Sequence, residues 1–308
     1  MNGSSCNIIR RHPEVNMPQY PLYLTEYPNM HTSFPFSLKI ETVETVIPHR
    51  HDFLELILVL EGSGFESVNG TEHRMEPGTL IFLLPYQFHT IQSDPGAPFR
   101  LFICNFDLEL LFHSKYGELG LASMVLEDSA TLPPYVQLKD REWIRIFEIF
   151  DDMMGEYISE ERMRSVMIQS KLLEALVLFD RLRIRQHGAE IGPSGETVRH
   201  PGKASFWQII HYVHKNYREE ITLEQLAREY HYNASHLSEL FKIRTGQNFV
   251  RFLQGLRIRH ACGLLSSSDL PVSAIAYEVG FGSFQTFSRT FLKSKGLPPT
   301  VYRKQSRN

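Results

Sequence analysis

The spacing of apolar residues changes along the 308-residue chain and divides it into regions of different predicted structure. Between residues 36 and 106 apolar residues form short runs separated by turn sequences, among which Asn69-Gly70 is a two-residue hairpin signal. The predicted strands include Phe36–Val46, Leu54–Leu60, Gly64–Val68, Thr79–Leu84 and Phe99–Phe106. Many short strands with glycine and proline turns predict a β-sandwich or a small barrel.

From Asp140 to about Arg185 the apolar residues recur at helical spacing instead. One stripe comprises Trp143, Ile146, Phe147, Phe150 and Met154, and the next comprises Leu172, Leu173, Leu176, Val177 and Phe179. Two such segments joined near Ser159 predict a helical hairpin. Either the hairpin only covers the β-domain, or its second helix also forms a subunit interface, since leucines on an exposed helix need burial.

Residues 187–205 are rich in glycine, proline and polar residues and predict a linker. Beyond it the chain repeats itself: the apolar stripe of Thr222–Tyr230 recurs 49 residues later in Pro271–Val279. A turn and a second amphipathic helix follow each copy; Leu237, Leu240 and Phe241 are its predicted core in the first copy, and Phe284, Phe287 and Phe291 in the second. Short helix, turn and second helix is the helix-turn-helix pattern, although packed helical hairpins also produce it.

The two repeats have unequal turns and are joined by a predicted helix. Gly280 suits a left-handed helix cap, whereas His231 holds the equivalent place in the first copy at a cost of about 1 kcal/mol. Asn233 and Ser283 are good N-caps for the second helices. The link, Asn248 to Ser266, would span about 28 Å as a helix. One turn of B-DNA is about 34 Å, so two reading helices could enter successive major grooves.

Charge supports a polyanionic partner for the C-terminal region. Residues 1–199 contain 17 Lys and Arg against 28 Asp and Glu, a net charge of −11, whereas residues 200–308 contain 15 against 7, a net charge of +8. The three cysteines, Cys6, Cys104 and Cys262, are widely separated and indicate neither a disulfide framework nor a cysteine zinc site. With no apolar run resembling a signal peptide or a membrane span, we expect a cytoplasmic protein without a membrane partner.

The repeat also resembles a known family. Ile275-Ala276, Val279-Gly280-Phe281, Phe287-Ser288-Arg289, Phe291, Gly296 and Tyr302-Arg303 resemble the C-terminal signature of AraC/XylS transcriptional regulators. Leu237, Phe241-Lys242, Thr245-Gly246, Leu256-Arg257, Ala261 and Leu264-Leu265 resemble its first half. The resemblance implies a DNA-binding transcriptional regulator with no catalytic activity and no cofactor. It favours an activator of transcription over a repressor, with RNA polymerase as a further protein partner.

The predicted DNA-reading residues lie opposite the apolar faces of the second helices. In the second unit they are Gln285, Thr286, Arg289 and Lys293; the resemblance places base contacts at the first three. Glutamine pairs with adenine and arginine with guanine in the major groove. The first unit presents Ser235, His236 and Glu239, flanked by Ser238 and Lys242. Glu239 replaces an arginine frequent in the family and either accepts a hydrogen bond from cytosine or makes no base contact. Arg257, Arg303 and Lys304 are either phosphate contacts or solvated surface charges.

In the N-terminal region His49, His51 and Glu55, with the later His89, resemble the motifs of the cupin barrel. In one strand the first three would share a face, and the four together suit a divalent transition metal. The alternative function is therefore a metal-dependent cupin enzyme, a dioxygenase or an isomerase. The spacing departs from metal-binding cupins, since six residues separate Gly78 from Pro85 and Tyr86-Gln87-Phe88 follows. The other interpretations are a ligand pocket or buried, hydrogen-bonded histidines.

Taken together, the sequence predicts a multidomain α+β protein: a cupin-like effector-binding barrel (1–139), a helical hairpin expected to form a dimer interface (140–186), the linker (187–205) and an all-α DNA-binding domain of two helix-turn-helix units (206–308). The expected partners are double-stranded promoter DNA, a small polar effector of which a sugar is one example, and a second copy of the chain. A His/Glu/Arg lining with nearby aromatic residues suits such a hydroxyl-rich ligand.

Overall fold

The computed structural model describes residues 22–24, 26–30, 32, 34–112, 132–187 and 206–307. The expected linker lies outside the described residues except for His187, the last residue of a helix. In chain order the strands are β1 (Leu22–Leu24), β2 (Phe36–Val43), β3 (Thr45–His51), β4 (Leu54–Glu61), β5 (Gly64–Val68), β6 (Thr71–Met75), β7 (Thr79–Leu83), β8 (His89–Ser93), β9 (Phe99–Phe106) and β10 (Tyr135–Gln137).

The strands form two five-stranded sheets. Their orders are β1-β3-β8-β5-β6 and β10-β7-β4-β9-β2, and every pairing is antiparallel except that of β1 with β3. Apolar side chains of both sheets, including Val68, Ile91, Ile57 and Leu101, form one buried cluster between them. The single strand expected over Phe36–Val46 is two strands, β2 and the start of β3, which pair with different sheets.

Two helices cover the outer face of the second sheet: α2 (Asp140–Ile158) and α3 (Arg164–His187), which follow the short α1 (Glu109–Phe112). Because β4 packs against the helices on one face and the other sheet on the opposite face, it is buried almost throughout, which explains its unbroken apolar run. In α2 the buried residues are Ile146, Ile149, Phe150 and Met153. The predicted stripe was therefore slightly misplaced, since Phe147 is 37% exposed.

The C-terminal region is entirely helical among its described residues. Its helices are α4 (Phe206–Lys215), α5 (Leu223–Glu229), α6 (Ala234–Thr245), α7 (Phe249–Ser267), α8 (Val272–Glu278), α9 (Phe284–Lys295) and α10 (Pro299–Ser306). One apolar core runs through both repeats and includes Leu237, Phe241, Phe287 and Phe291. Phe284 was expected in this core but is 39% exposed at the start of α9. Truncating a fully buried phenylalanine such as Phe287 would cost about 3–5 kcal/mol.

The fold class expected from the sequence is confirmed: an antiparallel β-domain with a helical hairpin, then an all-α domain. Across the described residues, none of the helices combines the length and apolar character that crossing a membrane requires.

Candidate nucleic-acid interface and effector site

The two repeats fold into two helix-turn-helix units, α5–α6 and α8–α9. Their second helices each have twelve residues and begin 50 positions apart, as the sequence offset predicts. Asn233 caps α6 by accepting from the backbone N–H groups of Ser235 and His236, and Ser283 caps α9 by accepting from that of Thr286. Such caps contribute about 1 kcal/mol each.

The turns differ as their residues predict. Gly280 has φ 89°, and a Cβ there would lie 2.5 Å from the carbonyl oxygen of Arg218, so only glycine fits. His231, at the equivalent place in the first unit, has φ 57° and bears the strain of a left-handed backbone with a side chain. The second turn is therefore the less strained of the two.

On α9 the predicted reading residues Gln285, Arg289 and Lys293 are exposed on one face. Thr286 is half-buried, and its hydroxyl oxygen accepts a hydrogen bond from Ser283 at 3.0 Å. The Thr286 hydroxyl therefore supports the helix cap, while its own proton stays available to a ligand. Two residues with long polar side chains and a lysine remain open to bases and phosphates on this helix.

On α6 the predicted residues Ser235, His236, Glu239 and Lys242 are exposed, and Ser238 is half-buried. The imidazole of His236 lies parallel to the ring of Tyr232 with 6.0 Å between centroids, which limits its orientations. This face carries one acidic and one basic residue, so its charge favours DNA less than that of α9 does.

Two of the three phosphate candidates are engaged inside the domain. Arg257 donates from Nε to the carbonyl of Tyr217 and from Nη2 to that of Glu219, both at 2.7 Å. Arg303 donates to the carbonyl of Leu270 at 2.6 Å. These guanidinium groups tie helix ends and loops together. Lys304 is exposed.

In the β-domain three histidines and one glutamate meet between the sheets. His49 on β3 pairs across the ladder with His89 on β8, and His51 ends β3. Glu55 lies on β4 of the opposite sheet, at the inward position shared with Ile57 and Val59, so it does not share a strand with the histidines as expected. One nitrogen from each histidine lies within 4.8 Å of the others, and all three side chains are buried.

Backbone carbonyls orient the three imidazoles. Nδ1 of His49 contacts the carbonyl of Ile47 at 2.9 Å, Nδ1 of His51 that of Phe53 at 2.8 Å, and Nδ1 of His89 that of Gln87 at 3.2 Å. Because a carbonyl only accepts, each Nδ1 carries a proton and donates. Nε2 is then the atom available to the interior. Oε2 of Glu55 lies 3.2 Å from Nε2 of His51 and 3.6 Å from that of His89.

Burial and mutual charge separate the pKa values of this cluster. Burial, with the nearby His89, lowers the pKa of His49 to about 4, so His49 is neutral at pH 7. Burial alone would lower the pKa of His89, but the hydrogen bond to Glu55 and the negative charge of Glu55 together outweigh burial and raise the pKa. Burial alone would raise the pKa of Glu55, but the hydrogen bonds to His51 and His89 bring it well below its usual range. The cluster therefore contains an ionised carboxylate.

The same donors fit a divalent transition metal. Imidazole nitrogens suit such an ion once Nε2 has lost its proton, as does a carboxylate, and Nδ1 bound to a carbonyl is how ligating histidines are oriented in metal sites. The cluster offers equally a set of hydrogen-bond donors and acceptors to the hydroxyl groups of a polar molecule. Its chemistry thus allows binding of either kind.

Comparisons with known proteins match both parts of the chain. The family described as AraC-like ligand binding domain matches residues 39–176, and the family described as helix-turn-helix domain matches residues 226–305. These matches cover the histidine cluster, the hairpin down to Leu176 and both reading helices. The chain belongs to the AraC family of transcriptional regulators.

Sequence relatives of this AraC-family chain are also described as transcriptional regulators. The transcriptional activator RhaR of Yersinia pseudotuberculosis (serotype O:3, strain YPIII) is 23% identical over 271 residues, 85% of this chain and 86% of RhaR. The uncharacterised regulator YtdP of Bacillus subtilis is 36% identical over 100 residues, 32% of this chain; the chain spans only 13% of YtdP. Among solved structures, ToxT of Vibrio cholerae has a TM-score of 0.42 at 12% identity, covering 87% of this chain and 98% of ToxT.

The AraC-family chain contains a second buried polar pair that the sequence interpretation missed. Nε2 of His73 on β6 lies 2.7 Å from Oε2 of Glu66 on β5, both side chains are almost fully buried, and the ring of Tyr135 stacks on His73 with 4.0 Å between centroids. In β5 Glu66 lies on the same inward face of the strand as Gly64 and Val68. A charged residue at an inward strand position was the available signal for this pair.

Proposed function

We propose that this AraC-family chain is a sequence-specific DNA-binding regulator that activates transcription in response to a small polar effector. The observation that carries the proposal is the pair of helix-turn-helix units, each with an exposed polar face on its second helix. The connecting helix α7 has 19 residues, or about 28 Å at 1.5 Å per residue. That length suits two units that enter successive major grooves on one face of the duplex.

Within this proposal α9 is the principal base reader. Arg289 pairs with guanine and Gln285 with adenine, because these side chains are exposed and match those bases bidentately. Thr286 contributes its hydroxyl proton, and Lys293 contacts phosphate. On α6 His236 and Ser235 face bases, Lys242 contacts phosphate, and Glu239 either accepts from cytosine or makes no base contact.

The test is selection of duplexes from a randomised pool by the full chain, followed by binding measurements with variants. Arg289→Ala should relax preference at one position, with a loss of discrimination of about 1–3 kcal/mol. The matched control is Lys304→Ala, an exposed basic residue outside the reading helices, which should weaken binding equally for all sequences. Failure of the folded full chain to select any duplex at low salt would refute the proposal.

The effector site is proposed to be His49, His51, Glu55 and His89. The buried polar lining supports a hydroxyl-rich molecule such as a sugar, because only paired polar groups repay the loss of hydration there. We assign no catalytic role to this cluster, because the matched families and the near-full-length relative RhaR are regulatory. We place the protein in the cytoplasm, where promoter DNA and RNA polymerase are found.

The helical hairpin is the proposed dimer interface, but not for the reason that the leucines suggested. Leu172 and Leu176 pack against the β-domain within the chain. Exposed apolar residues instead gather near the turn of the hairpin: Ile158, Met163, Val166 and Met167. Val166→Lys with Met167→Lys should give monomers in sedimentation velocity, whereas Ile243→Lys, at a more exposed apolar site on α6, should not. A wild-type monomer at high concentration would refute this interface.

A further inference from the structure

We propose that the segment His49–Asp52 couples the histidine cluster to the DNA-binding domain, because its inward side chains form the cluster and its outward side chains hold the helix-turn-helix domain. The inference rests on the proposed function, since it names how occupancy of that site would be transmitted. The two-residue period of a strand supplies the geometry. His49 and His51 point between the sheets, Arg50 alternates with them and points outward, and Asp52 is the first residue after β3 ends.

The first outward residue, Arg50, reaches the first reading helix. Its guanidinium occupies the space that a Cβ at Gly246 would need. Gly246 is the left-handed C-cap of α6, with φ 74°, so the absence of a side chain there is what admits Arg50. A cation is also favoured at this position, because the C-terminal end of a helix carries a partial negative charge.

The second outward residue, Asp52, forms an ion pair with Arg259 of α7. The two side chains are only 8% and 10% exposed, so the pair is buried in the contact between the domains. A buried charge left without its partner is costly, which makes this contact sensitive to small displacements of either chain segment. Arg259 lies on the helix that joins the two reading units, and the pair therefore contacts the element that sets their spacing.

Tyr86 provides a second connection from the same place. Its backbone N–H donates to the carbonyl of His51 at 2.6 Å, and its backbone is left-handed with φ 69°. Its ring is buried in the core of the DNA-binding domain, 5.6 Å from the ring of Phe252 on α7. The Tyr86 turn departs from the spacing of metal-binding cupins, and this interdomain contact gives the departure a structural role.

The reading faces of α6 and α9 stay exposed in this arrangement. The coupling therefore does not block DNA; it sets the orientation of the helix-turn-helix domain relative to the β-domain. A ligand that displaces His51 from Glu55 moves the backbone that carries Asp52 and receives the Tyr86 hydrogen bond. Such a displacement shifts the preferred orientation only as far as the two states differ in their affinity for the ligand.

The experiment is hydrogen–deuterium exchange of the full chain, read in peptides from α7. Asp52→Asn should speed exchange there by at least about tenfold, because the buried arginine loses its charged partner. The matched control is Asp94→Asn, which removes the same charge from an arginine pair within the β-domain, Arg74–Asp94, and should leave α7 unchanged. Equal exchange in wild type and Asp52→Asn would overturn the docking role.

Coupling to the histidine cluster is tested by substitutions within the cluster, at Glu55 and His89. Glu55→Gln keeps the side-chain shape. His89→Gln is a second variant in case circular dichroism shows that Glu55→Gln folds poorly. Either folded variant should alter exchange in α7 by several-fold in the wild-type background, and less once Asp52→Asn is present. Unchanged α7 exchange in both, while Asp52→Asn has its effect, would overturn the coupling. Exchange is read without DNA, so this failure is distinct from a failure to select a duplex.

Discussion

His214 is the residue for which burial without a partner makes the sharpest prediction. It lies near the end of α4, is 5% exposed, and packs in the C-terminal core with its ring centroid 6.0 Å from that of Phe252. Within the part of the chain that the structure describes, neither ring nitrogen has a hydrogen-bond partner. Burial, with the positive charge of Arg259 and the neighbouring His260 and His211, holds the pKa of His214 well below its ordinary value.

The magnitude follows from two separate terms. Two buried nitrogens without partners cost about 1–3 kcal/mol, so His214→Leu should raise the free energy of unfolding by about that amount at pH 8. The second term depends on pH. The folded imidazole stays neutral while the unfolded one takes up a proton below its pKa of about 6.5, so stability is lost as pH falls through that value. At pH 5 this loss amounts to about 2 kcal/mol.

The assay is urea unfolding of the full chain at pH 8 and pH 5, followed by the fluorescence of Trp207 in a Trp143→Phe background, since the chain has two tryptophans. The stability advantage of His214→Leu over wild type should grow by about 2 kcal/mol at the lower pH. His214→Gln is the control: it keeps a buried polar group but cannot titrate, so it should remove the pH term alone. An advantage that does not grow between pH 8 and pH 5 would refute the reasoning.

Three further predictions concern the turns, the reading helix and the histidine cluster. His231→Gly should stabilise the first unit by about 1 kcal/mol, because glycine relieves the left-handed strain, whereas Gly280→Ala should destabilise the second unit by more than that. Thermal melts of both variants measure these changes, and a His231→Gly variant no more stable than the wild type would contradict the strain argument. Salt titration of DNA binding should keep its slope in Arg289→Ala if the side chain reads a base, and a slope lower by about one would place it on phosphate. A metal site at the histidine cluster would bind one equivalent of cobalt(II) with visible absorption, and His51→Ala would abolish that absorption; a spectrum identical in both proteins would rule out a metal at this cluster.

Much of the candidate DNA interface could be predicted because its signals are local. The helix caps at Asn233 and Ser283, the glycine turn at Gly280 and the apolar stripe of each repeat involve residues within one or two helical turns of each other. The errors were also local in origin. Phe284 follows the apolar spacing but lies at the first turn of α9, where the core no longer covers it, and the stripe of α2 was displaced by about one residue.

The sequence by itself determined the order of the domains, the two helix-turn-helix units and the residues on their polar faces, since periodicity and capping act over a few residues. Only the tertiary structure decided which inward residues meet. Glu55 reaches the histidines from the opposite sheet, Glu66 finds His73 across a ladder, and Asp52 finds Arg259, 207 positions away. Strand register and domain docking bring these groups together, and both are set by packing between distant segments, which no local pattern encodes.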